Sequence, residues 1–287
     1  MKALIYHLER RQIFEIFVLF WIIFSWLALL ASLAGFFYNV IFIVLVIVGA
    51  VVFSIILVIN REKIGSVKYS LLVLTFSLSV VLIFSHYTIP TVFSGRDQGS
   101  FSEAAIRLSQ NHHLKFSTDA SREFFKIYGP GKALNFPGFD YTKDGQLTTQ
   151  FPLGYTSWLA AFYGIFGLNG FILANGVCFF IFLLSFYLVT RQYAKSSVAL
   201  LSLLFIVSSF AFSWFFKFTV SENLALMLLW FGIYEFLMFL KNEGRIHFFL
   251  FFSAMGLMTF SRIEAVAFLA VAFAILAFSN YTPSYSV

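Results

Sequence analysis

The chain has 287 residues, of which 60% are hydrophobic, 21% aromatic and 11% charged, and its mean hydropathy is +0.89. Soluble domains carry about 25% charged residues, so this composition excludes an ordinary soluble fold and predicts an all-α, polytopic membrane protein with lipid as its surroundings. In a membrane protein, a net charge of +6 reflects basic residues that set the topology and contact anionic lipid. We therefore expect no nucleic-acid partner. Cys178 is the only cysteine, which excludes an internal disulfide and a cysteine-based metal site.

Long apolar runs alternate with short basic loops along the chain. A helix needs about 20 apolar residues to cross a bilayer. The first run begins after a short basic start and is too long for a signal-peptide core, so we interpret it as an uncleaved span. The runs interpreted as spans are 13–33, 40–59, 69–84, 168–190, 198–216, 220–240, 247–260 and 265–278.

The apolar run 151–166 is shorter than the roughly 20 residues that a membrane span needs. The charges that flank the runs therefore decide where it is placed. If it does not cross, the N-terminus and every basic loop, including Arg191 with Lys195 and Lys241 with Arg245, fall on one side. The positive-inside rule makes that side cytoplasmic. We therefore expect a re-entrant or interfacial helix here, about eight transmembrane helices in total, and an external loop 87–151.

The external loop 87–151 is rich in charged residues and is predicted to carry short amphipathic helices. Phe101 and Leu108 fall on one helical face, while Glu103 and Arg107 are spaced to pair on another. This pattern predicts a helix that lies on the membrane surface behind Asp97. The alternative interpretation is a solvated tether without chemistry, since charged runs are usually solvated.

The predicted topology brings Asp97, Lys217, Glu222, Arg262 and Glu264 to the external membrane face. Ionisable groups near membrane depth are costly and mark functional sites. The two basic residues suit a phosphate, two carboxylates suit one hydrated divalent cation, and a carboxylate suits a general base. The set therefore predicts transfer from a polyprenyl-phosphate-linked donor, with Asp97 meeting the acceptor.

Structural interpretations of the same residues stay open. Arg262 and Glu264 suit an ion pair that joins two short helices. Glu222 is favoured at a helix N-terminus by the helix dipole, and Ser221 is placed to cap that terminus. Lys217 suits a side chain that reaches from the apolar region to the interface.

Four loose motifs follow one another along the chain. Asp97 precedes an aromatic and small residues on the predicted surface helix, and a Pro-Leu-Gly-Tyr segment leads to Phe-Gly. Glu222 opens a later run, and a Gly-Leu segment closes with a basic residue. The residues are Asp97, Phe101, Ala105 and Leu108, then Phe151 to Tyr155 and Phe166-Gly167, then Glu222, then Gly256-Leu257 and Arg262. In this order, residues 71–278 resemble the GT-C superfamily of membrane glycosyltransferases, in particular aminoarabinose transferases and protein O-mannosyltransferases.

This resemblance implies a glycosyltransferase that moves a sugar from a polyprenyl-phosphate donor to an acceptor glycan, lipid or protein at the outer face of a bacterial plasma membrane. Asp97 is then the catalytic base or a metal contact. Arg262, with Lys217, binds the donor phosphate. Glu222 and Glu264 serve the acceptor or a metal, so one divalent ion held by Asp97 and Glu222 is the expected cofactor.

Three departures from the family pattern qualify the resemblance. Gln98 stands where a second acidic residue is common, which weakens the metal assignment. Residues 1–66 form two additional N-terminal helices ahead of a core at 67–287, and we expect a C-terminally truncated fragment because the chain stops after a span. The alternatives are a multi-span transporter or lipid flippase, or a non-catalytic membrane subunit. The absence of a sequence repeat and the charges gathered at one face favour the enzyme.

Overall fold

The computed structural model describes residues 10–59, 68–92, 94, 97–241 and 244–278. The fold over these residues is mostly helical, which confirms the composition-based prediction in its coarse form. The helices are α1 (Arg10–Ala34), α2 (Asn39–Ile59), α3 (Lys68–His86), α4 (Asp97–Asn111), α5 (Asp119–Tyr128), α6 (Leu153–Phe166), α7 (Asn169–Arg191), α8 (Ser196–Ser208), α9 (Phe210–Phe216), α10 (Glu222–Leu240), α11 (Arg245–Thr259) and α12 (Ala265–Phe278).

Four of the described helices, α1, α2, α7 and α10, are long and apolar enough to cross a membrane. Helices α8 and α9 meet at a 62° bend and make a fifth candidate if the pair is one span. Helices α3, α11 and α12 are apolar but shorter. The large apolar side chains of α2 are mostly exposed, as expected of a helix whose neighbour is lipid. The architecture is compatible with an integral membrane protein.

The bundle has two ends, which the contacts of α1 define. Near its start, Glu15 meets Tyr234 in the last turns of α10. Near its end, the Trp26 ring packs against Phe260, which follows α11, with 5.9 Å between the ring centroids. Helix α1 therefore runs parallel to α11 and antiparallel to α10. The end that holds Arg262 and the start of α10 is called the Arg262 end below, and the other is called the His247 end.

Both termini of α6 lie at the Arg262 end. The Gly154 N–H donates to the Phe260 carbonyl at 2.7 Å. At the other terminus, Gly164 packs against the side chain of Asn39, which begins α2. The helix has 14 residues, which at 1.5 Å per residue is about 21 Å, short of the roughly 30 Å hydrocarbon core. Helix α6 therefore does not run from one end of the bundle to the other.

Helix α6 is enclosed by protein because its aromatic residues fill the main core. Trp158 and Tyr155 are fully buried, and Trp158 packs against Phe24 of α1 with 5.8 Å between the ring centroids. Burying rings of this size is a dominant source of core stability. Helix α1 thus shares a core with α6, whereas the division of the chain at residue 66 stays a prediction based on the resemblance.

Helix α4 forms where the sequence predicts a helix, but its apolar face does not meet lipid. Its Phe101 ring packs against Phe151 and Tyr155, with ring centroids 4.5 and 5.4 Å apart. The expected Glu103–Arg107 pair is present at 3.6 Å. The apolar face of α4 is therefore covered by α6, while the location of α4 at the membrane surface stays a prediction.

The loop at 87–151 also contains a small sheet that the all-α prediction omitted. Strands β1 (Gly131–Lys132), β2 (Phe139–Tyr141) and β3 (Leu147–Thr149) pair antiparallel in that order. Strands of two or three residues are too short to show an alternating pattern in a sequence. Thr118 caps α5 through a reciprocal pair of hydrogen bonds with Ser121. The loop is thus a folded unit packed on α4, and not a solvated tether.

Candidate functional site

Three predicted site residues meet at the Arg262 end. After α11, a tight turn in which the Arg262 N–H donates to the Met258 carbonyl aims the arginine at the start of α10. One guanidinium nitrogen, Nη1, lies 2.6 Å from Glu222 Oε1. The guanidinium also donates from Nη2 and Nε to the two carboxylate oxygens of Glu264, at 2.5 and 3.1 Å. These three residues are called the Arg262 cluster.

The Arg262 cluster is partly exposed and carries a formal charge of one negative unit. Hydrogen bonds from Arg262 lower the pKa of Glu264 to about 2. The hydrogen bonds that Arg262 makes to Glu264 also raise the pKa of Arg262 above its usual value. Arg262 and Glu264 therefore both stay ionised at neutral pH. Because the cluster is partly exposed, solvent weakens its ion pairs, and their contribution to stability is small.

An apolar cleft of about 370 Å³ opens at the Arg262 cluster. Its walls come from α9, α10 and α11, and the Arg262 cluster contributes the charged groups. The apolar lining includes Ala211, Phe212, Phe215, Leu226, Leu229 and Met258. A hydrocarbon chain fits such a lining, while an anionic head fits the arginine at the opening.

Asp97 lies at the same end, tied there by its neighbour in the chain. The Gln98 carbonyl accepts hydrogen bonds from Thr219 Oγ1 at 2.8 Å and from Ser102 Oγ at 2.9 Å. Thr219 is three residues before Glu222. Asp97 is the first residue of α4, and its side chain is exposed. The hydrogen bonds therefore place the start of α4 beside the loop that leads into the Arg262 cluster.

A buried polar network positions that loop. Tyr155 donates from its hydroxyl to Asn175 Oδ1 at 2.8 Å. Asn175 and Asn223 each donate an amide N–H to the Phe218 carbonyl at 2.9 Å. Buried amides and hydroxyls are hydrogen-bonded because an unpaired polar group is costly there. The network thus fixes the chain just before Glu222 against α6 and α7.

Lys217 is half-buried in this loop, at the end of α9. Within the described residues, no ion pair joins Lys217 to a carboxylate. Lys217 is therefore close in sequence to Glu222 of the Arg262 cluster, but it does not belong to the cluster.

Ser221 does not cap α10 as predicted. Its backbone is already helical, with φ −64° and ψ −18°, and no capping hydrogen bond forms. Its Oγ lies 3.5 Å from Arg262 Nη1 instead. The helical backbone turns the hydroxyl away from the free N–H groups of the first turn, which makes the capping prediction wrong.

Sequence reasoning missed a second polar group at the His247 end. Glu15, Glu235 and His247 are buried and lie close together, one on each of α1, α10 and α11. Each is an ionisable residue within an apolar run, which is the signal that marks functional positions in membrane helices. Glu15 is far in sequence from Glu235 and His247, so only the fold shows that the three residues meet.

Comparisons with protein-family models, curated proteins and solved structures found no match for this chain.

Proposed function

We propose that this chain is a multi-span membrane glycosyltransferase that moves a sugar from a polyprenyl-phosphate donor to an acceptor at the external membrane face. The observation that carries the proposal is the apolar cleft of about 370 Å³ that opens at the Arg262 cluster. A lipid-linked donor needs an apolar surface for its chain and a cation for its phosphate at one place. The resemblance of the motifs to GT-C enzymes supports the same assignment.

The proposed topology has eight spans: α1, α2, α3, α7, the α8–α9 pair, α10, α11 and α12. Helix α6 stays at the Arg262 end, which is external, because both of its termini contact residues there. The exposed residues Arg191, Lys195, Lys241 and Arg245 then lie on the cytoplasmic side, in keeping with the positive-inside rule. Helices α3, α11 and α12 have 19, 15 and 14 residues, so the bilayer thins around them. A bacterial plasma membrane is the proposed location.

In the proposed complex, Arg262 binds the donor phosphate in place of Glu264. Glu264 is the better candidate to leave, because its side chain is 52% exposed against 34% for Glu222. A bidentate exchange of carboxylate for phosphate suits the fixed fork of the guanidinium. Lys217, which lies outside the Arg262 cluster, is the proposed second cation for the phosphate. Glu222 and Asp97 are the residues that would hold a divalent ion, which would offset the excess negative charge.

The proposed reaction is a direct displacement at the sugar. Asp97 takes the proton of the acceptor hydroxyl while the acceptor oxygen attacks the anomeric carbon. The bond between that carbon and the phosphate oxygen breaks, and polyprenyl phosphate leaves with its negative charge beside Arg262. General-base catalysis of this kind contributes about 10²–10⁴ in rate.

Transfer of labelled sugar from polyprenyl-phosphate donors, measured in membranes that contain the chain, tests the proposal. We expect Asp97→Asn to lower the rate at least about 100-fold, because an amide cannot take the proton. The matched control is Asp144→Asn, which makes the same change at an exposed turn of the small sheet and keeps full activity.

If Asp97→Asn has wild-type activity at equal expression, Asp97 is not the catalytic base. If membranes with the wild-type chain transfer no sugar from any polyprenyl-phosphate donor, the glycosyltransferase proposal is wrong. A second candidate function then remains.

A transporter or lipid flippase is that second candidate, favoured by the 62° bend between α8 and α9. Broken helices line the binding sites of many transporters, and α9 forms part of the cleft wall. A liposome assay separates the two functions: the chain, reconstituted with a labelled polyprenyl phosphate, moves the lipid between leaflets only if it is a flippase. Asp97→Asn leaves that movement unchanged.

A further inference from the structure

A second site lies at the His247 end, away from the proposed transferase site. Glu15, Glu235 and His247 are 9%, 0% and 4% exposed. Each offers one ligand atom, and these atoms all lie within 4.8 Å of one another. Three helices that are separate in sequence, α1, α10 and α11, therefore direct metal-ligating groups to one buried point.

The side chains around this point are held in place by further contacts. His247 Nδ1 lies 2.6 Å from Glu235 Oε2, and the Tyr234 hydroxyl donates to Glu15 Oε1 at 3.2 Å. The Phe14 ring packs against Tyr234, with 6.4 Å between the ring centroids. A hydrogen bond to a ligating carboxylate fixes its orientation and tunes its basicity. The carboxylates and the imidazole are thus oriented within an apolar wall.

We propose that Glu15, Glu235 and His247 bind one divalent transition-metal ion, with Zn²⁺ as the best match. Imidazole nitrogen and carboxylate oxygen are both ordinary zinc ligands, and imidazole disfavours the hard ions Mg²⁺ and Ca²⁺. Two ionised carboxylates and a neutral imidazole also carry a formal charge that a divalent ion neutralises. This neutralisation matters most where the ligands are buried, since buried charge is costly.

An ion fits between these groups after their side chains close in. Zinc is tetrahedral and lies about 2.0–2.2 Å from nitrogen and oxygen ligands, so two of its ligand atoms are about 3.4 Å apart. Separations of up to 4.8 Å therefore shorten by up to about 1.4 Å when the ion binds. The 2.6 Å contact between His247 Nδ1 and Glu235 Oε2 is a hydrogen bond in the metal-free protein. The bound ion takes the place of that hydrogen bond, and the neutral imidazole then carries its proton on Nε2.

A metal at this point joins α1 to the α10–α11 hairpin at the His247 end. The inference is independent of the proposed transferase, because none of its three residues belongs to the Arg262 end. Loss of the metal is expected to loosen the bundle at the His247 end and to leave the contacts of the Arg262 cluster in place.

Metal content and thermal stability of the full chain, purified in mild detergent, test the proposal. The chain is stripped with EDTA and titrated with Zn²⁺ or Mg²⁺. We expect about one tightly held Zn²⁺ per chain and a Tm increase of about 5 °C once zinc is a hundredfold above its Kd, with no effect of Mg²⁺. Glu235→Gln removes both effects, while the matched control Glu123→Gln, at an exposed surface position, keeps both.

A cobalt experiment covers the case in which Glu235→Gln fails to fold. Stripped wild-type chain loaded with Co²⁺ is expected to show the visible absorption of a coordinated ion. His247→Cys adds a thiolate-to-cobalt charge-transfer band, which appears only if residue 247 is a ligand. Wild-type chain that retains no Zn²⁺ and shows no zinc-dependent Tm overturns the proposal, and so does a Co²⁺ spectrum that His247→Cys leaves unchanged. In either case the buried groups share protons instead of a metal.

Discussion

Arg262 holds two carboxylates that reach it from different directions along the chain. Glu222 begins α10, and Glu264 lies two residues beyond the arginine, just before α12. Because a guanidinium offers its donors in a rigid fork, it can bind both carboxylates at once. The arginine is thus poised to exchange one carboxylate for another planar or tetrahedral anion without moving its own side chain.

The lowered pKa of Glu264 predicts a specific pH dependence of stability. The pKa falls from 4.5 to about 2 on folding, so the ionised form stabilises the fold at every pH above 4.5, and this contribution is lost as the pH falls toward 2. We expect the Tm difference between wild type and Glu264→Gln to be constant from pH 7 to 5 and to shrink between pH 4.5 and 2. Thermal unfolding in detergent across this range measures it.

The control is the same comparison made in an Arg262→Gln background. Without the guanidinium the hydrogen bonds that lower the pKa are gone, so the pH-dependent part of the difference should disappear. A wild-type difference that stays constant down to pH 2 would contradict the ion pair.

At the scale of helices, the start of α6 is fitted closely against the chain that follows α11. A Cβ atom added to Gly154 would lie 2.4 Å from Ser261 Oγ and 2.8 Å from the Phe260 carbonyl oxygen. The second of these atoms belongs to the backbone and cannot turn aside. Glycine at this position therefore lets α6 reach the segment that carries Arg262.

Gly154→Ala is expected to destabilise the protein by about 1–3 kcal/mol, as overpacking does in other cores. A suitable control is Gly176→Ala in α7, where the new Cβ meets its nearest atom at 3.4 Å and the helix gains about 0.5–1 kcal/mol from the lost glycine. Thermal unfolding of both variants in one detergent compares them. If the two variants were equally stable, the segment at Phe260 would accommodate the new Cβ without loss of stability.

If the chain has the proposed transferase function, the cleft between α9, α10 and α11 predicts that KM depends on the length of the donor lipid. Ala211 is exposed in the cleft wall, so Ala211→Phe narrows the cleft without disturbing a buried contact. We expect KM for a long polyprenyl-phosphate donor to rise about tenfold, with little change for a short-chain analogue. Ala267→Phe, at an exposed position of α12 outside the cleft, is the matched control. An equal rise in KM for long and short donors would place the lipid elsewhere.

For the whole molecule, the long helices α1, α2, α7 and α10 could be predicted from sequence because each one is a long, mostly apolar run. The placement of 151–166 was inferred from charge balance, and the contacts of Gly154 and Gly164 put both termini of α6 at one end of the bundle. The small sheet escaped prediction because its strands are too short to show a period. The burial of α4 escaped because an amphipathic face looks the same whether lipid or protein covers it.

The candidate site could be predicted only as a set of residues at one end. Charged residues that interrupt apolar runs identify Glu222, Arg262 and Glu264, and the structure brings these three together. The cleft beside them is not visible in sequence, since it forms between helices that are distant in the chain. The same is true of the buried group at His247, whose partners are brought together by helix packing alone.

The return of α6 to the end where it begins has a consequence for biosynthesis. The carbonyl that accepts from Gly154 belongs to Phe260, which the ribosome adds long after α6 has left the exit tunnel. Because this contact partner is synthesised later, α6 cannot take its final position until the α10–α11 hairpin has formed. The Arg262 end is therefore assembled late, and a nascent chain halted before α11 would have every span up to α10 and no arginine at the site.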